Sequence, residues 1–166
     1  MKIKLLITSI FTLLILTSCG FHLRQPPQLH FHTIFIDGSL DPSIKRIVVD
    51  SLTKDEGLTI TKNPADAEVI VSISPPQPSR QILSLNAQGL VSQYTLYMKL
   101  NFRARDNEDN ELLPPTQLVA TRILKYSDAQ IYASLQEEKS LNDDMRQDLV
   151  LQMLRRLSAI NPKLVH

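Results

Sequence analysis

From Leu90 to Arg105 the chain alternates. Leu90, Tyr94, Leu96, Met98, Leu100, Phe102 and Ala104 fall on one parity, and Gln93, Thr95, Lys99, Asn101, Arg103 and Arg105 fall on the other. Successive side chains of a strand point to opposite faces, so this pattern predicts a long strand with one packed face and one wet face. "RQILSLN" before it reads as a hairpin partner, and "TQLVATRILKYS" follows across the acidic loop "DNEDNELLPP". The three runs together predict an antiparallel meander.

Upstream the period changes more than once. "HFHTIFIDG" is β-branched and aromatic and stops at Asp37-Gly38, which predicts a first strand and a turn. In "LDPSIKRIVVDSLTKDEG" Asp41 is placed as an N-cap with Pro42 at the first helical position. Ile44, Ile47, Val48 and Leu52 then fall on one helical face, and Gly57 is the expected stop. "LTIT" reads as a brief strand, and "AEVIVSIS" alternates so that Val69, Val71 and Ile73 share a face until "PPQPS" ends it. The last third is helical: Leu141, Met145, Leu149, Met153 and Leu157 recur every four residues, and Val150, Leu154 and Ile160 widen the stripe. A break near Ser140 is compatible with this pattern. The expected class is α+β, a mostly antiparallel or mixed four-stranded sheet with two helices packed on one face.

The N-terminus follows another rule. Lys2 and Lys4 precede an apolar run from Leu5 to Leu16, which as a helix reaches roughly 18 Å. A bilayer core of about 30 Å needs more, so the run reads as a secretory signal peptide. It closes on Leu16-Thr17-Ser18-Cys19, which resembles a bacterial lipobox. In that reading Cys19 carries an N-acyl group and an S-diacylglycerol and becomes the first residue of the mature chain. The alternative is ordinary cleavage followed by a stray thiol. The lipobox is favoured because Cys19 is the sole cysteine of a chain bound for an oxidising compartment. Two or three acyl chains give stable anchoring, where one binds only marginally. The expected organisation is a removed leader at 1–18, a tether at 19–29 stiffened by Pro26 and Pro27, one domain at 30–160 and a short tail at 161–166. In known enteric lipoproteins a residue other than Asp after the cysteine, here Gly20, permits export to the outer membrane.

Without the leader, 16 basic residues face 17 acidic ones. That balance argues against a general nucleic-acid binder. Four glycines form no phosphate loop, and no Gly-x-Ser-x-Gly elbow occurs, so no catalytic residue is assigned. His22, His30 and His32 have no Cys ligand beside them once Cys19 is acylated, and His-x-His is a weak pattern, so no metal is assigned. Asp106, Glu108, Asp109 and Glu111 lack EF-hand spacing and read as a solvated hairpin tip. Pro75-Pro76-Gln77-Pro78 reads as a stiff connector before a polyproline ligand. Lys99, Arg103 and Arg105 form a basic stripe on the wet parity, with Arg122 and Lys125 expected to extend it. Such a stripe is either plain solvated surface or a contact for anionic phosphate groups.

Several short motifs in a fixed order carry a resemblance. "CGFHLR" after the lipobox, a strand ending in Gly38, Gln93-Tyr94-x-Leu96 with Leu100-x-Phe102, and a strand from Arg122 to Tyr126 lead to Met145-x-x-Asp148-Leu149 and Arg156-Leu157. In this order they resemble the lipopolysaccharide-assembly lipoprotein family LptE, over essentially the whole chain after the leader. Members often carry Glu where Gln93 stands. The resemblance implies a non-enzymatic outer-membrane lipoprotein, anchored facing the periplasm, that plugs the lumen of the β-barrel LptD. It would assist barrel assembly and the placing of lipopolysaccharide in the outer leaflet. The rival expectation is another outer-membrane lipoprotein, a lipid carrier or chaperone without a barrel, which should contain a deep apolar cavity.

Overall fold

A computed structural model describes residues 29–38, 40–53 and 57–162. The leader, Cys19 and the tether through residue 28, together with the last four residues, lie outside the described residues. The elements run β1 (Thr33–Asp37), α1 (Pro42–Leu52), β2 (Thr59–Ile60), β3 (Val69–Ile73), β4 (Gln77–Leu85), β5 (Val91–Arg105), β6 (Glu111–Lys125) and α2 (Ile131–Leu157). The α+β class and the mixed sheet are as expected. Six strands join one sheet, two more than the expected four, and they include both the brief strand expected at "LTIT" (β2) and the hairpin partner expected at "RQILSLN" (β4).

β5 is the spine. Its fifteen residues, about 50 Å of extended chain, pair along one edge with β6 from Gln93↔Lys125 to Arg105↔Glu111. Two strands share its other edge. β3 takes Phe102 to Arg105, and β4 takes Val91 to Lys99. β1 adds parallel to β3, and β2 parallel to β1. The sheet is therefore five strands wide where the chain enters and three strands wide at the Asn86–Leu90 turn. Pro75 and Pro76, which lack N–H donors, sit at this step. Ser74 and Asn101 close it through Ser74 N–H to Asn101 O (2.9 Å) and Asn101 N–H to Ser74 Oγ (3.1 Å).

Both helices cover the same face. Leu96, Met98, Leu100, Phe102 and Ala104 of β5 join one buried cluster with Ile44, Val48 and Leu52 of α1 and with Met145, Leu149 and Met153 of α2. Asp41 caps α1: its carboxylate accepts from Ser43 N–H (2.9 Å) and from the Ser43 hydroxyl. The helix ends at Leu52, before the expected stop at Gly57, and Thr53 at its C-cap turns its N–H and hydroxyl onto Val49 O (2.9 Å each). α2 runs unbroken through Ser140.

Two other details differ from the sequence pattern. Leu90 belongs to the turn, where its N–H bonds Asn86 Oδ1 (3.0 Å), and its side chain is exposed. Ile70 is buried on the face away from the helices, flanked in its cross-strand row by Phe35 and Arg105. β3 is thus covered on both faces at its start, which is why it reads as an unbroken apolar run.

Leu100 and Lys99 are neighbours on opposite faces, so they should respond oppositely. Leu100→Ala is expected to cost about 2–5 kcal/mol in urea denaturation, and Lys99→Ala no more than about 0.5 kcal/mol. Equal losses would contradict this facing. The Asp41 carboxyl is held below its usual value of 3.8 by the hydrogen bonds from Ser43. A lowered native pKa means that the cap's contribution is complete above pH 3.8 and fades as pH falls through the native value. Asp41→Asn should therefore flatten the acid limb of thermal stability measured from pH 6 to pH 2, and an unchanged acid limb would refute the cap.

Candidate functional site: the uncovered sheet face

Among the described residues no layer covers the face of β4, β5 and β6 opposite the helices. Its cross-strand pairs are Gln93↔Lys125, Thr95↔Ile123, Tyr97↔Thr121, Lys99↔Val119 and Asn101↔Gln117, so no acid stands in these rows. Gln117 donates to Asn101 Oδ1 (3.1 Å), tying β6 to β5 across one row. Arg103 follows on the same parity, beside Ser72, whose hydroxyl bonds Asp37 (3.3 Å). Among the described residues no acid lies within ion-pair distance of Lys99, Arg103 or Lys125. Arg105 is partly neutralised by Asp109 at 3.1 Å. The result is a strip of hydroxyl, amide and aliphatic groups crossed by unpaired cations, suited to an anionic or polar partner.

Arg122 does not join this strip. Its cross-strand partner is Leu96, and residues directly opposite share a face, so Arg122 points to the helix side. There it donates to Asp148 of α2 at 2.8 Å. Lys125 lies three residues on and therefore has the opposite parity in a regular strand.

The helix side holds a second polar group that the sequence did not reveal. Arg80 of β4 pairs with Leu96, which turns its guanidinium toward α2, where it meets Glu138 at 3.2 Å. Its Cζ also sits 4.8 Å from the Tyr94 ring centre, within cation–π range. Tyr94 meets Tyr126 edge-on at 5.2 Å. The hydrogen bond between Tyr126 and Asp128 raises the phenol's pKa. These contacts fasten the start of α2, whose buried apolar residues begin only at Met145. Register was the missing information, because nothing local marks Arg80 as facing a helix.

Other candidate chemistry is placed in ordinary roles. Asp106 is buried at the β5–β6 tip, where its carboxylate accepts from Glu108 N–H (2.9 Å) and from Asn110 N–H (2.8 Å). The His32 N–H donates to Glu68 (2.7 Å), and His22 lies outside the described residues. Among the described residues no three His, Cys, Asp or Glu side chains converge as metal ligands. None of the described helices is long and apolar enough to cross a membrane.

Comparison with known proteins decides the family. The family model described as LptE, lipopolysaccharide-assembly, matches residues 31–157. The chain belongs to the LptE family. LptE-family proteins are membrane-anchored bacterial lipoproteins of lipopolysaccharide assembly and are not enzymes. The chain is similar to lipoprotein B of Nitrosomonas europaea, with 30% identity over 84% of this chain and 91% of that one and a TM-score of 0.70. The rare lipoprotein B of Shewanella oneidensis shares the fold at 19% identity, 81% and 99% coverage and a TM-score of 0.68. A minor lipoprotein of Acinetobacter baumannii does so at 23%, 80% and 94%, with a TM-score of 0.63. A comparison with curated proteins finds no match.

Arg122 and Asp148 are each about a third or more exposed, so their pair is a modest fastening. A double-mutant cycle with Arg122→Gln and Asp148→Asn should give a coupling of about 0.2–1 kcal/mol that shrinks in high salt. A coupling of zero at low salt would remove the pair from the account of how α2 is held.

Proposed function

We propose that this LptE-family chain is an outer-membrane lipoprotein, anchored through acylated Cys19, that seats its uncovered sheet face in the lumen of the β-barrel LptD. As a plug it assists assembly of the barrel and takes part in placing lipopolysaccharide in the outer leaflet. The observation that carries this reading is the acid-free strip with Lys99, Arg103 and Lys125 unpaired upon it. A polar lumen accepts hydroxyl and amide side chains, and unpaired cations fit acidic wall residues or lipid phosphates. Arg105 is a weaker contact because of Asp109, and Arg122 serves the fold.

Dimensions support the same reading. The chain enters at the wide end of the sheet, where His32 meets Glu68. The Asn86–Leu90 turn is at the other end of β5, about 50 Å away. A bilayer with its headgroups is about 40–45 Å thick. A domain held at the inner leaflet by its first residue is therefore long enough to run through a barrel to the outer side. A carrier without a barrel would need room for acyl chains. Instead the space between sheet and helices is filled by the buried cluster, and the grooves at Ile36–Val49, Ala65–Asn107 and Asp37–Pro115 have volumes of about 390, 240 and 290 Å³ and open to the surface.

Affinity isolation of the intact protein from a detergent extract should recover a very large β-barrel in stable complex, and repeated recovery alone would contradict the plug. Cys19→Ala should abolish labelling by radioactive fatty acid. Reversing charge at Lys99 and Arg103 should cut recovery of barrel or lipopolysaccharide roughly tenfold, the size of about 1.4 kcal/mol of lost contact, while the melting curve stays put. Undiminished recovery of both would leave the strip as ordinary solvated surface.

A further inference from the structure

At the narrow end of the sheet one strand has a free outer edge, and it meets α2 through the Arg80–Glu138 pair. Among the described residues β4 pairs only with β5 and no strand pairs with its outer edge, and every residue from Gln77 to Leu85 except Ser84 is exposed. Ile82 is 60% exposed, Leu83 48% and Leu85 56%. Scattered exposed aliphatics are ordinary, but three within four positions on a free edge form a template for strand addition. The geometric complement of a free row of N–H and C=O groups is another extended strand.

The chain's own tether is too short to supply that strand. It enters beside Glu68, and the fourteen residues from there to Ile82 span about 46 Å. Ten residues from Cys19 to Leu29 reach at most about 36 Å. A second copy fits poorly. Antiparallel self-pairing centred on Gln81 sets the aliphatic end of one copy against Pro78, Ser79 and Arg80 of the other, and Pro78 has no N–H to give. Centring on Leu83 and Ser84 leaves four residues before the Asn86–Leu90 turn begins.

We propose that the outer edge of β4, over Ser79–Leu85, receives an extended segment of the barrel partner's chain as an added strand. This inference rests on the plug reading and adds a main-chain contact to it. The segment should be five to seven residues long, rich in β-branched or aromatic side chains that cover Ile82, Leu83 and Leu85. It should contain no proline, and no cation opposite Arg80. Pro78 bounds the ladder at one end, and the register shift between Ile82 and Ser84 interrupts it near the other, so that indiscriminate pairing is discouraged.

Backbone amide exchange tests this on the full-length acylated protein, alone in detergent and in its co-purified barrel complex. The N–H groups of Ser79–Leu85 that point away from β5 should exchange freely alone and slow by about 100-fold or more in the complex. Leu83→Lys combined with Leu85→Lys should reduce recovery of the barrel at least tenfold without moving the melting curve. A barrel complex in which those amides exchange as freely as in the isolated protein overturns the added strand and leaves the plug standing. Recovery without any barrel overturns both. Protection that appears in the isolated protein and grows with its concentration assigns the edge to a second copy and also overturns the proposal.

Discussion

The two-residue period of β5 sorts the whole molecule. Each even position from Leu96 to Ala104 is buried under the helices, and each odd position from Gln93 to Asn101 meets the open side. A one-residue slip of β5 would bury Lys99 and expose Leu100, and a buried unpaired ammonium costs several kcal/mol. The packed side therefore fixes the register that lines up the cations on the other side. Core packing and the proposed binding surface are two consequences of one alternation.

The junction at Ser74–Pro76 gives the sheet its second asymmetry. Up to Ile73 the edge of β5 is filled by a strand buried on both sides, and beyond Gln77 by one that is almost entirely exposed. α2 mirrors this change. Its later turns carry Met145, Leu149, Val150, Met153, Leu154 and Leu157 into the core, while its early turns are fastened by Glu138 to Arg80. The wide end near the chain's entry is held by apolar packing, and the narrow end by polar contacts with exposed aliphatics around them. Such a gradient suits the proposed plug, tethered at one end and received by a partner at the other.

The elements that sequence made visible are those whose side chains meet two different environments. β5 alternates because one face is dry, and α2 shows its stripe for the same reason. Asp41-Pro42 marks a helix start because capping is local chemistry. β4 was legible in its second half, where "RQILSLN" reads as the hairpin partner of β5, and its start at Gln77 was hidden because Pro78 inside it reads as a stop. Arg122 was grouped with Lys125 from proximity in the chain, although an odd spacing puts them on opposite faces. Arg80 and Glu138 are fifty-eight residues apart and meet only through the pairing of β4 with β5. Cys19, read from a linear motif alone, lies outside the described residues.

The claim most open to direct measurement is that the face opposite the helices is the one a partner covers. Quantitative acetylation of lysines can compare the isolated protein with the complex extracted from native membranes. Lys99 and Lys125 lie on the uncovered face, while the exposed Lys45 and Lys62, on α1 and in the loop after β2, serve as internal references. The account predicts that Lys99 and Lys125 lose reactivity in the complex while Lys45 and Lys62 keep theirs. Equal reactivity of Lys99 and Lys125 in both preparations would contradict it.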